Sequence, residues 1–163
     1  MRYLDILDCD IADGEGIRVA LFVSGCSHHC KGCHNPESWS PDNGKKFTEQ
    51  VKEKLFNLID RPYIDGLTLT GGDPLFCSNR ADIEKLCIEF KERFPNKTIW
   101  CYTGYLYEEV KDLEIIKYID VLVDGPYKKE LRDITLPWVG SSNQRVLRLT
   151  PGTHQGHSGN SCV

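Results

Sequence analysis

Three cysteines, Cys26, Cys30 and Cys33, fall in the stretch GCSHHCKGCHNPESW, residues 25–39, with spacing C-x3-C-x2-C. Thiolates spaced this way can wrap one metal or cluster within a short loop. A structural zinc would close on four ligands, and His28, His29 or His34 could supply the fourth. The usual structural-zinc pattern is two separated cysteine pairs, and this sequence has no second pair. A [4Fe–4S] cluster can instead use three cysteines and leave one iron open, whereas electron-transfer clusters normally take four. An open iron is a place for a substrate to bind, as catalytic metals keep a vacant position. The loop alone leaves zinc and iron–sulfur both standing.

A second motif is GGDP, residues 71–74. A glycine pair after a strand is commonly a tight turn. Gly71 and Gly72 also lack Cβ atoms, so backbone carbonyls could approach a ligand closely. Carbonyls facing a ligand suit an ammonium donor, such as the amino group of a methionine moiety. The same amino group could chelate an open iron.

These motifs need elements to carry them. IRVALFV, residues 17–23, is apolar and β-branched, the pattern of a strand buried on both faces of a parallel sheet. The cysteine loop follows it directly. Val51, Leu55, Leu58 and Ile59 predict an amphipathic helix over 48–60. DGLTLT, residues 65–70, reads as a second strand that delivers GGDP. Asn79 reads as the N-cap of a helix carrying Ile83, Leu86, Cys87, Phe90 and Phe94, with Pro95 past its end. TIWCY (98–102) predicts a third strand, Leu106, Val110 and Leu113 another helix, YIDVLV (118–123) a fourth strand, and 145–149 a last one. Alternating strands and helices imply βα units. The expected fold is α/β: an open partial (β/α) barrel with a mostly parallel sheet of about five to six strands. A closed eight-stranded barrel takes around 250 residues. In such folds sites lie at the carboxyl ends of the strands, so both motifs should meet at one rim. Residues 1–150 read as one domain and 151–163, polar and glycine-rich, as a flexible tail.

The chain has 163 residues and a net charge of -4, with 24 acidic against 20 basic residues. That balance weighs against a nucleic-acid partner. No apolar run approaches the roughly 18–20 residues that cross a bilayer, so no membrane association is expected. The N-terminus carries acids where a signal peptide is apolar, which predicts a cytoplasmic chain. In a reducing compartment clustered cysteines point to metal or redox chemistry. Cys87 and Cys101 sit inside apolar patterns and read as small buried hydrophobes. Cys9 and Cys77 lean the same way. No nucleophile elbow, paired carboxylates or Ser/His/Asp arrangement is present, so no catalytic side chain is assigned.

C-x3-C-x2-C after one strand with GGDP after the next resembles the radical S-adenosylmethionine superfamily. DGEGIRVALFVSGCSHHCKGCHNPESW resembles the activating enzymes of glycyl radical enzymes. CKGCHN, LTGGDPL, WCYTGY, VLVDGPY and GSSNQRV together resemble the activases of anaerobic (class III) ribonucleoside-triphosphate reductase, over about 3–149. The pattern departs at Gly32, where the superfamily often has an aromatic residue, and at Glu15, where proline is frequent. Neither position is a ligand. The resemblance implies that Cys26, Cys30 and Cys33 hold a [4Fe–4S] cluster whose fourth iron is chelated by S-adenosylmethionine. Gly71, Gly72 and Asp73 match the loop that receives the methionine end. Gly32 and His34, flanking Cys33, would contact the cofactor. The cofactor would yield a 5′-deoxyadenosyl radical that takes a hydrogen atom from a glycine Cα of the reductase. An electron donor of flavodoxin type is implied. Cofactors do the hard chemistry in such enzymes and the protein positions them.

Two other readings stay open at this point. One is an activase for another glycyl radical enzyme, such as pyruvate formate-lyase. The other is a non-catalytic zinc or iron–sulfur adaptor with four protein ligands. Gly14-Glu15-Gly16 precedes its strand and so is no dinucleotide fingerprint. Arg18 reads as a contact to the cofactor or partner, or as a surface ion pair. Residues 102–105 and Asp124-Gly125 end strands at the same rim, and 141–144 is a polar run before the last strand. Each could face the cofactor or only shape the chain.

Overall fold

The computed structural model describes residues 1–149. The expected tail, 151–163, lies outside the described residues. In chain order the elements are β1 (Arg2–Asp10), β2 (Arg18–Val23), β3 (Lys45–Lys46), α1 (Glu49–Ile59), β4 (Gly66–Gly71), α2 (Arg80–Arg93), β5 (Thr98–Tyr102), α3 (Tyr107–Val110), β6 (Val121–Asp124) and β7 (Arg145–Arg148). They build one seven-stranded sheet in the order β3-β1-β2-β4-β5-β6-β7. The sheet is open, with β3 and β7 at its edges.

The apolar run at 17–23 becomes β2, buried along nearly its whole length. It pairs in parallel with β4, β4 with β5, and β5 with β6. In register, Val23 lies opposite Gly71 and Tyr102 opposite Val123, so the carboxyl ends of these strands finish together. β1, β3 and β7 pair antiparallel. The sheet is therefore mixed and has seven strands, against the mostly parallel five to six expected. β1 is the strand that periodicity does not reveal. Asp5, Asp8 and Asp10 interrupt its apolar pattern, its register shifts twice against β2, and most of it is not fully buried. The two exposed lysines of β3 form a short, charged edge that discourages strand addition.

One face of the sheet carries the main core. Val19, Leu21, Val23, Leu67, Leu69, Ile99, Cys101 and Leu122 meet Leu55, Phe56 and Ile59 of α1 and Ile83, Leu86, Cys87 and Phe90 of α2. Each fully buried side chain of this size contributes about 1.5–3 kcal/mol, so packing rather than propensity holds these helices. Cys87 and Cys101 are buried as expected, and burial pushes the Cys87 thiol up to about 12. The opposite face holds a smaller cluster in which Trp100, Val121 and Val123 meet Trp138 and Val146.

Thr48 caps α1, its Oγ1 accepting from the Val51 N–H at 3.4 Å. Asn79 occupies the cap position of α2, but its side chain does not cap. The third connection is shorter than expected: α3 is one turn, followed by a 3-10 turn at Glu114–Tyr118. Tyr118 therefore precedes the strand that begins at Val121.

Candidate functional site at the carboxyl ends of the parallel strands

The chain leaves β2 through Gly25, at φ +102°. Two backbone hydrogen bonds clip the ends of the cysteine loop together: Gly25 N–H to Ser38 O (2.7 Å) and Cys26 N–H to Trp39 O (3.0 Å). Between them the chain doubles back at His29, at φ +45°, whose ring stacks on Trp39.

GGDP folds onto the root of this loop. The Gly72 N–H donates to Val23 O and the Asp73 N–H to Gly25 O, at 2.7 and 2.8 Å. A Cβ on Gly72 would stand 2.7 Å from Gly25 O and 3.0 Å from Ser38 O. Loop-on-loop packing therefore already requires glycine at 72, before any ligand is considered. Asn79 adds a side-chain tie, its Nδ2 donating to Ser24 O (2.8 Å) and Asp73 O (3.1 Å).

Cys26, Cys30 and Cys33 line one cavity of about 210 Å³ with Gly71 and Gly72. His28 and His34 face the same space, as do Thr70 on β4, Tyr102 and the Thr103–Gly104 turn after β5, and Gly125, Tyr127, Gly140 and Gln144 beyond β6. The register of the parallel strands thus brings the two motifs to one rim. Of the residues assigned to the cluster and cofactor from the resemblance, two stand apart from the lining. Gly32, at φ +76°, is exposed and lies against Lys129. Asp73 is 1% exposed and lies beneath the wall.

Asn35 N–H points at Cys33 Sγ at 3.4 Å. Burial is the larger influence on Cys26 and Cys30 and pushes both thiols up. The backbone amides of His28 and His29 pull the Cys26 thiol down, and that of Tyr127 the Cys30 thiol. Ligation would release those protons, so binding is coupled to pH. Among the described residues no three His, Cys, Asp or Glu side chains are drawn into one metal-holding group. The donor set itself, three thiols from one loop with amide N–H groups toward the sulfurs, fits an iron–sulfur cluster.

Asp73 is the hub of the rim. Its carboxylate accepts from Leu75 N–H (2.8 Å), Thr103 Oγ1 (2.9 and 3.0 Å), Gly104 N–H (3.0 Å) and His28 Nε2 (3.0 Å). The hydrogen bond to Asp73 holds the His28 imidazole above its ordinary pKa. This linkage spans 45 residues of sequence and carries no local signal. Tyr127, Ser38 and Trp39 are further lining residues to which sequence reasoning gave no role.

Other candidates find structural roles. Arg18 is 1% exposed and forms no surface ion pair among the described residues. Its guanidinium donates to Thr68 Oγ1, Thr98 Oγ1 and the carbonyls of Glu15, Leu67 and Thr98, at 2.8–3.1 Å. It lies at the amino ends of the strands, away from the cysteines. Asp124 is fully buried and takes two hydrogen bonds from Arg145 and one from Tyr107 N–H. Ser141 and Asn143 brace the segment after β6, Asn143 Nδ2 donating to Pro126 O and Ser141 Oγ accepting from Lys128 N–H. Within 141–144 only Gln144 lines the cavity. No helix among the described residues is long and apolar enough to cross a membrane.

A family model described as a 4Fe-4S single cluster domain matches residues 12–147. Three curated proteins, each named anaerobic ribonucleoside-triphosphate reductase-activating protein, align over nearly the whole chain. The one from Enterobacteria phage T4 is 48% identical, over 93% of this chain and 97% of its own. Those from Pasteurella multocida and Escherichia coli K12 are 41% and 40% identical, over 92% and 91% of this chain and 99% of theirs.

Proposed function

We propose, from the premise that the chain belongs to the anaerobic ribonucleoside-triphosphate reductase-activating proteins, that it is a radical S-adenosylmethionine enzyme installing a glycyl radical on that reductase. The observation that carries the reading is the meeting of three thiols with Gly71 and Gly72 at one cavity on the carboxyl edge of parallel strands. Cys26, Cys30 and Cys33 would hold the [4Fe–4S] cluster, and S-adenosylmethionine would take the position the three thiols leave. When bound, these groups supply a one-electron reduction that generates a 5′-deoxyadenosyl radical able to take hydrogen from a glycine Cα.

The protein's part is placement. Gly71 and Gly72 form the wall that receives the methionine end, and Asp73 acts from below by fixing that wall. His34 and Gly32 flank Cys33 at the exposed end of the loop, with His34 on the cavity and against Tyr127. Tyr102 and Gln144 bound the far side. Residues 1–150 form the single radical S-adenosylmethionine domain. We read the parallel centre of its sheet as a partial (β/α) barrel, whose open side admits a loop of a large protein substrate. A flavodoxin-type protein is the proposed electron donor, and the cytoplasm the proposed location.

Anaerobic reconstitution with iron and sulfide tests this. The reduced chain should cleave S-adenosylmethionine to 5′-deoxyadenosine and methionine, and Cys30→Ala should not. Mixed with the reductase it should produce a glycyl-radical doublet in electron paramagnetic resonance. A metal that stays bound in Cys30→Ala, with no cleavage by either protein, would establish an adaptor instead. Cleavage without a doublet would reassign the protein substrate.

A further inference from the structure

His28 stands midway between Cys26 and Cys30, and its side chain leaves the cysteine loop. Its Nε2 lies 3.0 Å from Asp73 Oδ2, with His28 19% and Asp73 1% exposed. With a carboxylate as acceptor, Nε2 carries the hydrogen. Asp73 is fixed independently of His28, by Leu75 N–H, Thr103 Oγ1 and Gly104 N–H. The ring also packs edge-on against Tyr105, with centroids 4.5 Å apart. One side chain thus joins three loops, those after β2, β4 and β5.

Gly104 supplies an independent sign of this contact. It is not among the glycines at positive φ, so its backbone does not demand glycine. A Cβ there would fall 2.4 Å from His28 Cδ2 and 2.7 Å from both Cγ and Nε2. The missing side chain is the space the imidazole fills. Next along the chain, His29 turns the other way onto Trp39 at a left-handed backbone. The two adjacent histidines therefore pin opposite sides of the loop between its first two thiols.

We propose that His28 is a positioning residue, holding the cysteine loop against the GGDP and Tyr102–Tyr105 loops so that Cys26 and Cys30 stand at a set place on the cavity wall. The proposal rests on the reading that the three cysteines hold the cluster. It assigns His28 to neither the metal nor the cofactor. A histidine whose ring N–H is held by a carboxylate can also ligate a metal through its other nitrogen, so the test must separate the two roles.

Glutamine can still donate to Asp73 through its amide but offers no imidazole. Phenylalanine keeps a ring against Tyr105 and loses the hydrogen bond. Full-length wild type, His28→Gln and His28→Phe are reconstituted anaerobically, and iron loss to a chelator is timed. Hydrogen exchange over residues 26–33 is measured on the metal-free chains. His28→Phe should lose iron at least about tenfold faster, the scale on which partners behind ligands act. Its loop amides should exchange faster while those of β4 and β5 do not change. His28→Gln should stay within about threefold of wild type. If His28→Phe does not fold, His28→Asn, too short to reach Asp73, takes its place with the same expectation.

Wild-type behaviour in His28→Phe would overturn the proposal. So would a His28→Gln variant as leaky as His28→Phe, which would make His28 a ligand. A different failure belongs to the underlying reading: Cys30→Ala holding iron as wild type does would overturn the ligand set and this proposal with it.

Discussion

Both ends of the parallel strands bury charged side chains, and two of these, Arg18 and Asp73, are handled differently. Arg18 at the amino end and Asp73 at the carboxyl end are both 1% exposed. Arg18 gives its hydrogen bonds to carbonyls and hydroxyls of Glu15, Leu67, Thr68 and Thr98, groups on the neighbouring strands and the loop that precedes β2. It also lies over the Trp100 ring. Desolvation outweighs the nearby carboxylates and lowers its pKa to about 10. Asp73 collects donors from the cysteine loop, its own loop and the loop after β5. Both ends satisfy a buried ion with hydrogen bonds, as burial demands. At one end the ion staples strand ends and serves the fold. At the other it ties loops whose relative placement is the site.

That contrast can be broken first by removing the charges. Arg18→Met should cost about 3–5 kcal/mol in urea unfolding of the metal-free chain, because the five hydrogen bonds of a buried charged group are lost together. Iron bound per folded molecule should not change. A cost below about 1 kcal/mol would erase the distinction. Asp73→Asn should cost less stability, about 1–3 kcal/mol, since the donors of Leu75, Thr103, Gly104 and His28, now spread over two oxygens, are left with one. Its larger effect should fall on iron retention and cofactor cleavage, the reverse of the Arg18 result. Gly72→Ala sharpens the site end. Its Cβ would press on the backbone oxygens of Gly25 and Ser38, which cannot swing away, for about 1–3 kcal/mol.

At the other end, Asp13 is raised to about 6 by burial and by Asp10. The folded chain then keeps a proton that the unfolded chain releases near 3.8, so stability falls as pH rises from about 4 to 6. Asp13→Asn should unfold at higher urea than wild type above pH 6 and coincide with it below pH 4. Equal midpoints at pH 7 would refute that burial cost. The smallest effect belongs to the exposed pair Arg148–Glu15, where Arg148→Gln should leave the urea midpoint unchanged.

Much of this was legible in the residues. The apolar run of β2, the periodicity of α1 and α2, and the break at Pro95 are local patterns that packing preserved. C-x3-C-x2-C and GGDP sat just beyond strands, so the carboxyl-edge rule brought them together. β1 was not legible, because an antiparallel strand near the sheet edge needs no continuous apolar pattern. Asn79 shows a subtler limit. Its position before α2 was readable, but its amide went to Ser24 O and Asp73 O rather than to the helix.

The sequence by itself determined the chemistry on offer: three thiols in one loop, a glycine pair after the next strand, and a parallel α/β frame to carry both. Only the tertiary structure decided the rest. It made Asp73 a buried hub, Arg18 a staple and His28 a bridge, and it set the imidazole in the space that Gly104 leaves. The reason is separation along the chain. Residue type and periodicity report whether a side chain will be buried, while its partners, 45 or 50 residues away, are chosen by strand order and register.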